Sequence, residues 1–230
     1  MDPVKKLAST FQDDYMVTIT LENSPTSFQV QKALLCNTSD YFKRALDGGF
    51  KEGSDRTLRL PGCDQETFEV VLYWITSKTL PDFAAELDNE DTTFDARHEM
   101  SSVRQTLLVR TWAFGDAYLM PKLQNMAMRS LLAVFKHNRA HPEALREAFA
   151  TTGAESTIRK ACIMEAASDI YEEAYTNEEK DRLGATPGFL SALLDVTGNC
   201  FDEDKVVKMQ KYADTRNQYA ESYFVPEKQD

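Results

Sequence analysis

Phe28–Leu60, FQVQKALLCNTSDYFKRALDGGFKEGSDRTLRL, decides the fold, because a strand, two short helices, a turn and another strand can be read along it in order. Phe28 and Val30 alternate with Gln29 and Gln31, the period of two expected of a half-buried strand. The period then changes. Ala33, Leu34 and Leu35, and after them Tyr41, Phe42, Ala45 and Leu46, fall at helical spacings, and Asn37, Thr38 and Ser39 between them are residue types that start and cap helices. Gly48-Gly49 ends the second of these helices. Alternation resumes over Arg56–Leu60, with Leu58 and Leu60 on one face, and Pro61-Gly62 closes that strand.

Working outward, Val17, Ile19 and Leu21 alternate with Thr18, Thr20 and Glu22, and Asn23-Ser24-Pro25 supplies a turn, so a β-hairpin is predicted ahead of the central stretch. Beyond Pro61, Phe68, Val71, Leu72 and Ile75 lie at i, i+3, i+4 and i+7, one buried stripe of a helix. Two further helices are predicted from Leu108, Trp112, Gly115 and Leu119, and from Leu123, Met126, Ala127, Ser130, Leu131 and Val134, with Pro121 in a first-turn position.

These patterns, taken in order, resemble the BTB/POZ domain, whose members commonly read F-x-V-H-K-x-x-L-x-x-x-S-x-Y-F-x-x-x-F-x-x-x-F-x-E. The residues that carry the resemblance are Phe28, Val30, Lys32, Leu35, Ser39, Tyr41, Phe42, Gly49, Phe50 and Glu52. It is similar over residues 14–136, and more so to fungal members than to animal ones bearing zinc fingers or kelch repeats. The resemblance implies an α+β fold, a small β-sheet flanked by a cluster of α-helices, followed here by an all-helical C-terminal extension. Three positions depart from the family pattern. Met16 replaces the acidic residue that often precedes the first strand, Gln31 replaces the usual histidine, and Lys78 stands where a turn glycine is common. The first two fall in the pocket region some members use for corepressors, so the resemblance does not imply that activity.

Two interaction roles follow from the resemblance. Many relatives form homodimers in which an N-terminal helix packs across the two-fold axis. Residues 1–13 hold VKKLASTF, whose Val4, Leu7 and Phe11 would share one helical stripe and are the candidate dimer interface. The other reading for this segment is a helix folded on its own core, or a frayed end. Relatives that act as substrate adaptors of cullin-type ubiquitin ligases carry a hydrophobic-x-Glu motif after the second short helix, and Phe50-Lys51-Glu52 matches it in type and place. Phe50 is then either an exposed anchor for a cullin or a plug in the domain's own core.

Between the helical parts lies an acidic stretch, residues 81–103, with few apolar residues (among them Phe83, Leu87 and Phe94), read as a surface loop insertion or as a short acidic peptide motif for a partner. Residues 141–230 read as helices: one opened by Pro142, one over Ser156–Tyr175, and two more over Pro187–Val196 and Glu203–Tyr223. A Ser-x-x-Arg pair, Ser156 and Arg159, opens the second of these, as in many fungal relatives.

Composition narrows the function classes. Hydrophobic residues are 42% of the 230, enough to bury a core. The net charge of −11 opposes binding to phosphate backbones, so no nucleic-acid partner is expected. The basic residues Arg104, Arg110, Lys122, Arg129, Lys136 and Arg139 read as solvated helix faces. No apolar run is long enough for a membrane span, and MDPVKKLASTF lacks a secretory core, so no membrane partner is expected. Cys36, Cys63, Cys162 and Cys200 are widely spaced, which suits a reducing compartment, cytoplasmic or nuclear. His137 and His141 have i, i+4 spacing but lack the glutamate of a zinc motif and run into Pro142, so no metal or other cofactor is expected. No phosphate loop or nucleophile elbow is present. The sequence therefore reads first as a non-enzymatic protein–protein interaction module that self-associates and presents its helical extension to partners, second as a cullin adaptor, and third as an enzyme of unrecognised class.

Overall fold

In the computed structural model, which describes residues 15–22, 24–88, 92–197 and 220–227, the alternating apolar residues of the N-terminal part form one sheet. Strand β1 is Met16–Leu21, β2 is Ser27–Gln31 and β3 is Thr57–Leu60, in the order β2-β1-β3. β1 and β2 pair antiparallel with Val17 opposite Val30 and Ile19 opposite Phe28, as a hairpin must. β1 and β3 pair parallel, with Ile19 opposite Leu58 and Leu21 opposite Leu60. A parallel neighbour requires a crossover. Three short helices supply it: α1 (Lys32–Thr38), α2 (Asp40–Asp47) and α3 (Lys51–Asp55). Helix α4 (Gln65–Ser77) follows, N-capped by Asp64, whose side chain accepts from the Thr67 N–H at 2.7 Å.

Residues 15–80, where described, make one compact unit with Phe114–Leu123. Its core holds Val17, Ile19, Leu35, Phe42, Leu58, Leu60, Phe68, Val71 and Ile75, all buried. The residues common to the family pattern have identifiable structural tasks. Ser39 accepts from the N–H groups of Tyr41 and Phe42 at 3.1 and 3.2 Å, which starts α2, and donates to the Tyr118 carbonyl at 2.6 Å. Lys32 ties the start of α1 to the end of α2 through Asp47 at 2.5 Å, and that hydrogen bond raises its pKa.

Helix α4 ends at Lys78, whose φ of 60° is left-handed. That conformation explains why glycine is common here: a Cβ makes it costly. Lys78 compensates in part by placing its ammonium 5.2 Å from the Trp74 ring centroid. Lys78→Gly is expected to stabilise the protein by about 0.5 kcal/mol, the relieved strain exceeding the added freedom of the unfolded chain. A lowered thermal midpoint would contradict this.

The second compact unit comprises Pro81–Ala113 and the described residues from Gln124 onward. Its helices are α5 (Phe94–Ala117) and α6 (Pro121–Phe135), whose adjoining ends belong to the first unit, then α7 (Pro142–Thr151), α8 (Thr157–Tyr171), α9 (Asn177–Gly184) and α10 (Phe189–Thr197). Pro142 sits in the first turn of α7 as expected. Ser156 N-caps α8, and Arg159 reaches back to the end of α7, donating to the carbonyls of Ala148, Phe149 and Thr152. The Ser-x-x-Arg pair thus starts one helix and satisfies the orphan carbonyls of another.

The structure corrects several expectations. Residues 81–103 are not one long loop. Phe83 and Leu87 are buried, a 3-10 turn spans Ala85–Asp88, and α5 begins at Phe94 in a largely polar stretch, with Thr93 accepting from the Ala96 N–H. Two apolar anchors and a cap suffice where composition alone read a surface insertion. Leu119 is exposed and left-handed at 55°, so it leaves the stripe assigned to it. Helix α9 was not expected, since Leu183 is its one buried apolar residue; a capping box between Thr176 and Glu179 starts it. The helix predicted over Glu203–Tyr223 lies outside the described residues except for a 3-10 turn at Ala220–Tyr223.

Candidate interaction site

The turn between α2 and α3 is built so that Phe50 stands out from it. Gly48 caps α2, its N–H donating to the Arg44 carbonyl at 2.8 Å. A Cβ at Gly48 would lie 2.4 Å from that carbonyl oxygen and 2.8 Å from the Phe50 ring. One side of the aromatic ring therefore rests on a position only glycine can occupy. Gly53 has a matching reason: a Cβ there would come 2.5 Å from the Leu46 carbonyl oxygen, so α3 can approach the end of α2 this closely only without a side chain. Phe50 is the N-cap residue of α3, with extended backbone, and is 58% exposed. Glu52, in the first turn of the same helix, is also exposed. Of the two readings of Phe50, its side chain has the exposure an anchor needs and is not a core plug.

Met16, Tyr41 and Tyr73 are further exposed large side chains of this unit. Tyr41 stands edge-on to Tyr118 at 5.2 Å, and Phe42 beneath it stacks on Tyr118 at 5.5 Å. Burial raises the Tyr118 phenol, so it stays neutral. Val4, Leu7 and Phe11, the candidate dimer interface, lie outside the described residues.

His137 and three of the arginines singled out in the sequence, Arg104, Arg110 and Arg139, each pair with an acidic side chain. His137 pairs with Asp88 at 3.0 Å, whereas the His141 ring is 2% exposed and lies 4.2 Å from that of His98. Arg104 pairs with Glu86 at 2.8 Å, Arg110 with Glu147 at 3.2 Å and Arg139 with Glu179 at 2.5 Å, so these three are not free helix faces. The Glu179 carboxylate also accepts from the N–H and hydroxyl of Thr176. Burial works to raise its pKa, but the hydrogen bonds from Arg139 and Thr176 outweigh it and bring it down to about 2. Burial, with His98 and Arg139 nearby, lowers His141 to about 3. Among the described residues no group of acidic, histidine and cysteine side chains is placed to hold a metal ion, and no helix is long and apolar enough to cross a membrane.

Residues 7–101 match the family model of the BTB/POZ domain. The match and the three-stranded sheet with its short crossover helices define the class: a BTB/POZ domain followed by a helical C-terminal region. The BTB/POZ domain is a protein–protein interaction module, not a catalytic one. No curated protein matches the chain.

Proposed function

We propose that this protein is a non-enzymatic interaction module that self-associates through its BTB/POZ domain and presents its helical extension to partners. The observation that carries the reading is the BTB/POZ match over residues 7–101, which includes Leu7 and Phe11 of the apolar N-terminal stripe. Deleting residues 1–12 is expected to convert a dimer into a monomer while the circular dichroism of the remainder stays folded, because a two-fold interface built on that stripe is lost without touching the sheet. A truncated protein that keeps its dimeric mass would rule out this interface. A reducing compartment, cytoplasmic or nuclear, suits the free thiols of Cys63 and Cys162, both pushed up to about 12 chiefly by burial.

A second reading, substrate adaptor of a cullin-type ubiquitin ligase, is favoured by the exposure of Phe50 with Glu52 beside it in sequence and helix. Phe50→Ala should leave the melting temperature nearly unchanged and weaken cullin binding by about 2 kcal/mol, as truncating an interface anchor does. Glu52→Ala should cost less. Affinity purification with mass spectrometry decides whether cullin subunits accompany the protein, and wild-type chain that binds none at tens of micromolar excludes this reading.

A further inference from the structure

The last described segment, AESYFVPE over residues 220–227, is held as a bound peptide would be. Asn125 on α6 is buried, and its side-chain oxygen accepts from the Val225 N–H at 2.8 Å while its nitrogen donates to the Val225 carbonyl at 3.0 Å. One amide thus reads both main-chain groups of a single residue, the pairing a neighbouring strand would offer, and it does so whatever side chain that residue carries. The same nitrogen donates to the Glu227 carboxylate at 2.7 Å. Before Val225, the Phe224 ring lies 4.4 Å from the Arg129 guanidinium, one turn along α6, and Tyr223 is 7% exposed. The 3-10 turn Ala220–Tyr223 packs on α8.

The sequence of the segment suits exchange. Pro226 biases Val225 toward the extended backbone that Asn125 reads, so little freedom is lost on docking. Residues 198–219 join the segment to the end of α10, 22 residues of chain. The segment and its groove belong to one chain, so the tail competes intramolecularly with any free peptide.

We propose that the Asn125–Arg129 face of α6, with α8 beside it, is a peptide-binding groove whose resident ligand is the chain's own tail. Its exchange partner is an extended segment of another protein with the same chemistry: two aromatic residues, an aliphatic one, proline and a carboxylate. A second copy's tail makes no contact the chain's own tail does not already make, so exchange between copies gains nothing over the intramolecular arrangement. The proposal deepens the reading of the helical part as partner-facing, and its test is independent of Phe50 and of self-association.

The probe is fluorescein-labelled AESYFVPE peptide titrated into the full chain, with binding read by fluorescence anisotropy. Wild-type protein should bind it weakly, since the tethered tail competes. Full chain carrying Tyr223→Ala and Phe224→Ala should bind it at least about ten-fold more tightly, because the competing tail has lost its buried tyrosine and the ring that lies against Arg129. Adding Asn125→Asp, which keeps the shape of the side chain but removes its donor, should abolish that gain with circular dichroism unchanged. A folded tail variant with no gain over wild type overturns the proposal. So does a tail variant that no longer folds, because the segment is then part of the core and not an exchangeable ligand. Equal binding of a scrambled peptide also overturns it.

Discussion

Phe42→Ala should destabilise the N-terminal unit by about 3–5 kcal/mol, the largest single effect expected in this protein, because it removes a large aromatic side chain and leaves a cavity. Phe42 is 0% exposed, stacked on Tyr118 and fixed at the start of α2 by the Ser39 cap. The helices around it are joined by hydrogen bonds and cannot collapse freely into the space. At roughly 2–4 °C per kcal/mol for a chain of this size, the thermal midpoint should fall by about 10 °C. Phe42→Leu, closer in volume, should cost much less. An unchanged midpoint for the alanine variant would mean that the register of α2 described above is wrong.

Acid should weaken the second unit well before carboxylate protonation alone would. His141 ordinarily titrates at 6.5 and in the fold at about 3, so between these values the unfolded chain takes up a proton that the folded chain refuses. Its contribution is fully present above pH 6.5 and falls away as the pH drops toward 3. At pH 4 the loss amounts to about 3 kcal/mol. Glu179 adds to it lower down: its folded pKa is depressed from 4.5 to about 2, so stability present above pH 4.5 is lost as the pH falls toward 2. Urea unfolding of wild type and His141→Gln at pH 7 and pH 4 checks this. The variant should show a shallower loss between the two pH values, and equal losses would contradict the role given to His141.

The sheet and the crossover helices were legible because their signals are local. Val17, Ile19 and Leu21 alternate over adjacent residues, and Ser39 caps the helix that begins at the next residue. The family match covers the same region. What the sequence hid depends on partners far along the chain. Arg110 meets Glu147 and Arg139 meets Glu179 across 37 and 40 residues, and no spacing rule joins them. Helix α9 has almost no apolar period, so it was missed, although the Thr176-x-x-Glu179 capping box could have marked its start. The start of α5 was missed for a related reason: polar residues and an exposed Phe94 precede the apolar part of that helix. For the candidate site, Phe50-Lys51-Glu52 was found by resemblance, but whether Phe50 faces solvent was not. That depends on Gly48 and Gly53, which let the turn fold tightly enough to hold the ring outside. Glycine placement ahead of and within α3 was the one sequence signal available. The docked tail at Asn125 had no such signal, since it joins residues 100 apart.

The most direct test of the central claim, a self-associating BTB/POZ interaction module, is the mass of the full-length protein by multi-angle light scattering across a micromolar concentration series. A stable dimer is predicted, at twice the 26.1 kDa of one chain. A single-chain mass at every concentration would contradict self-association.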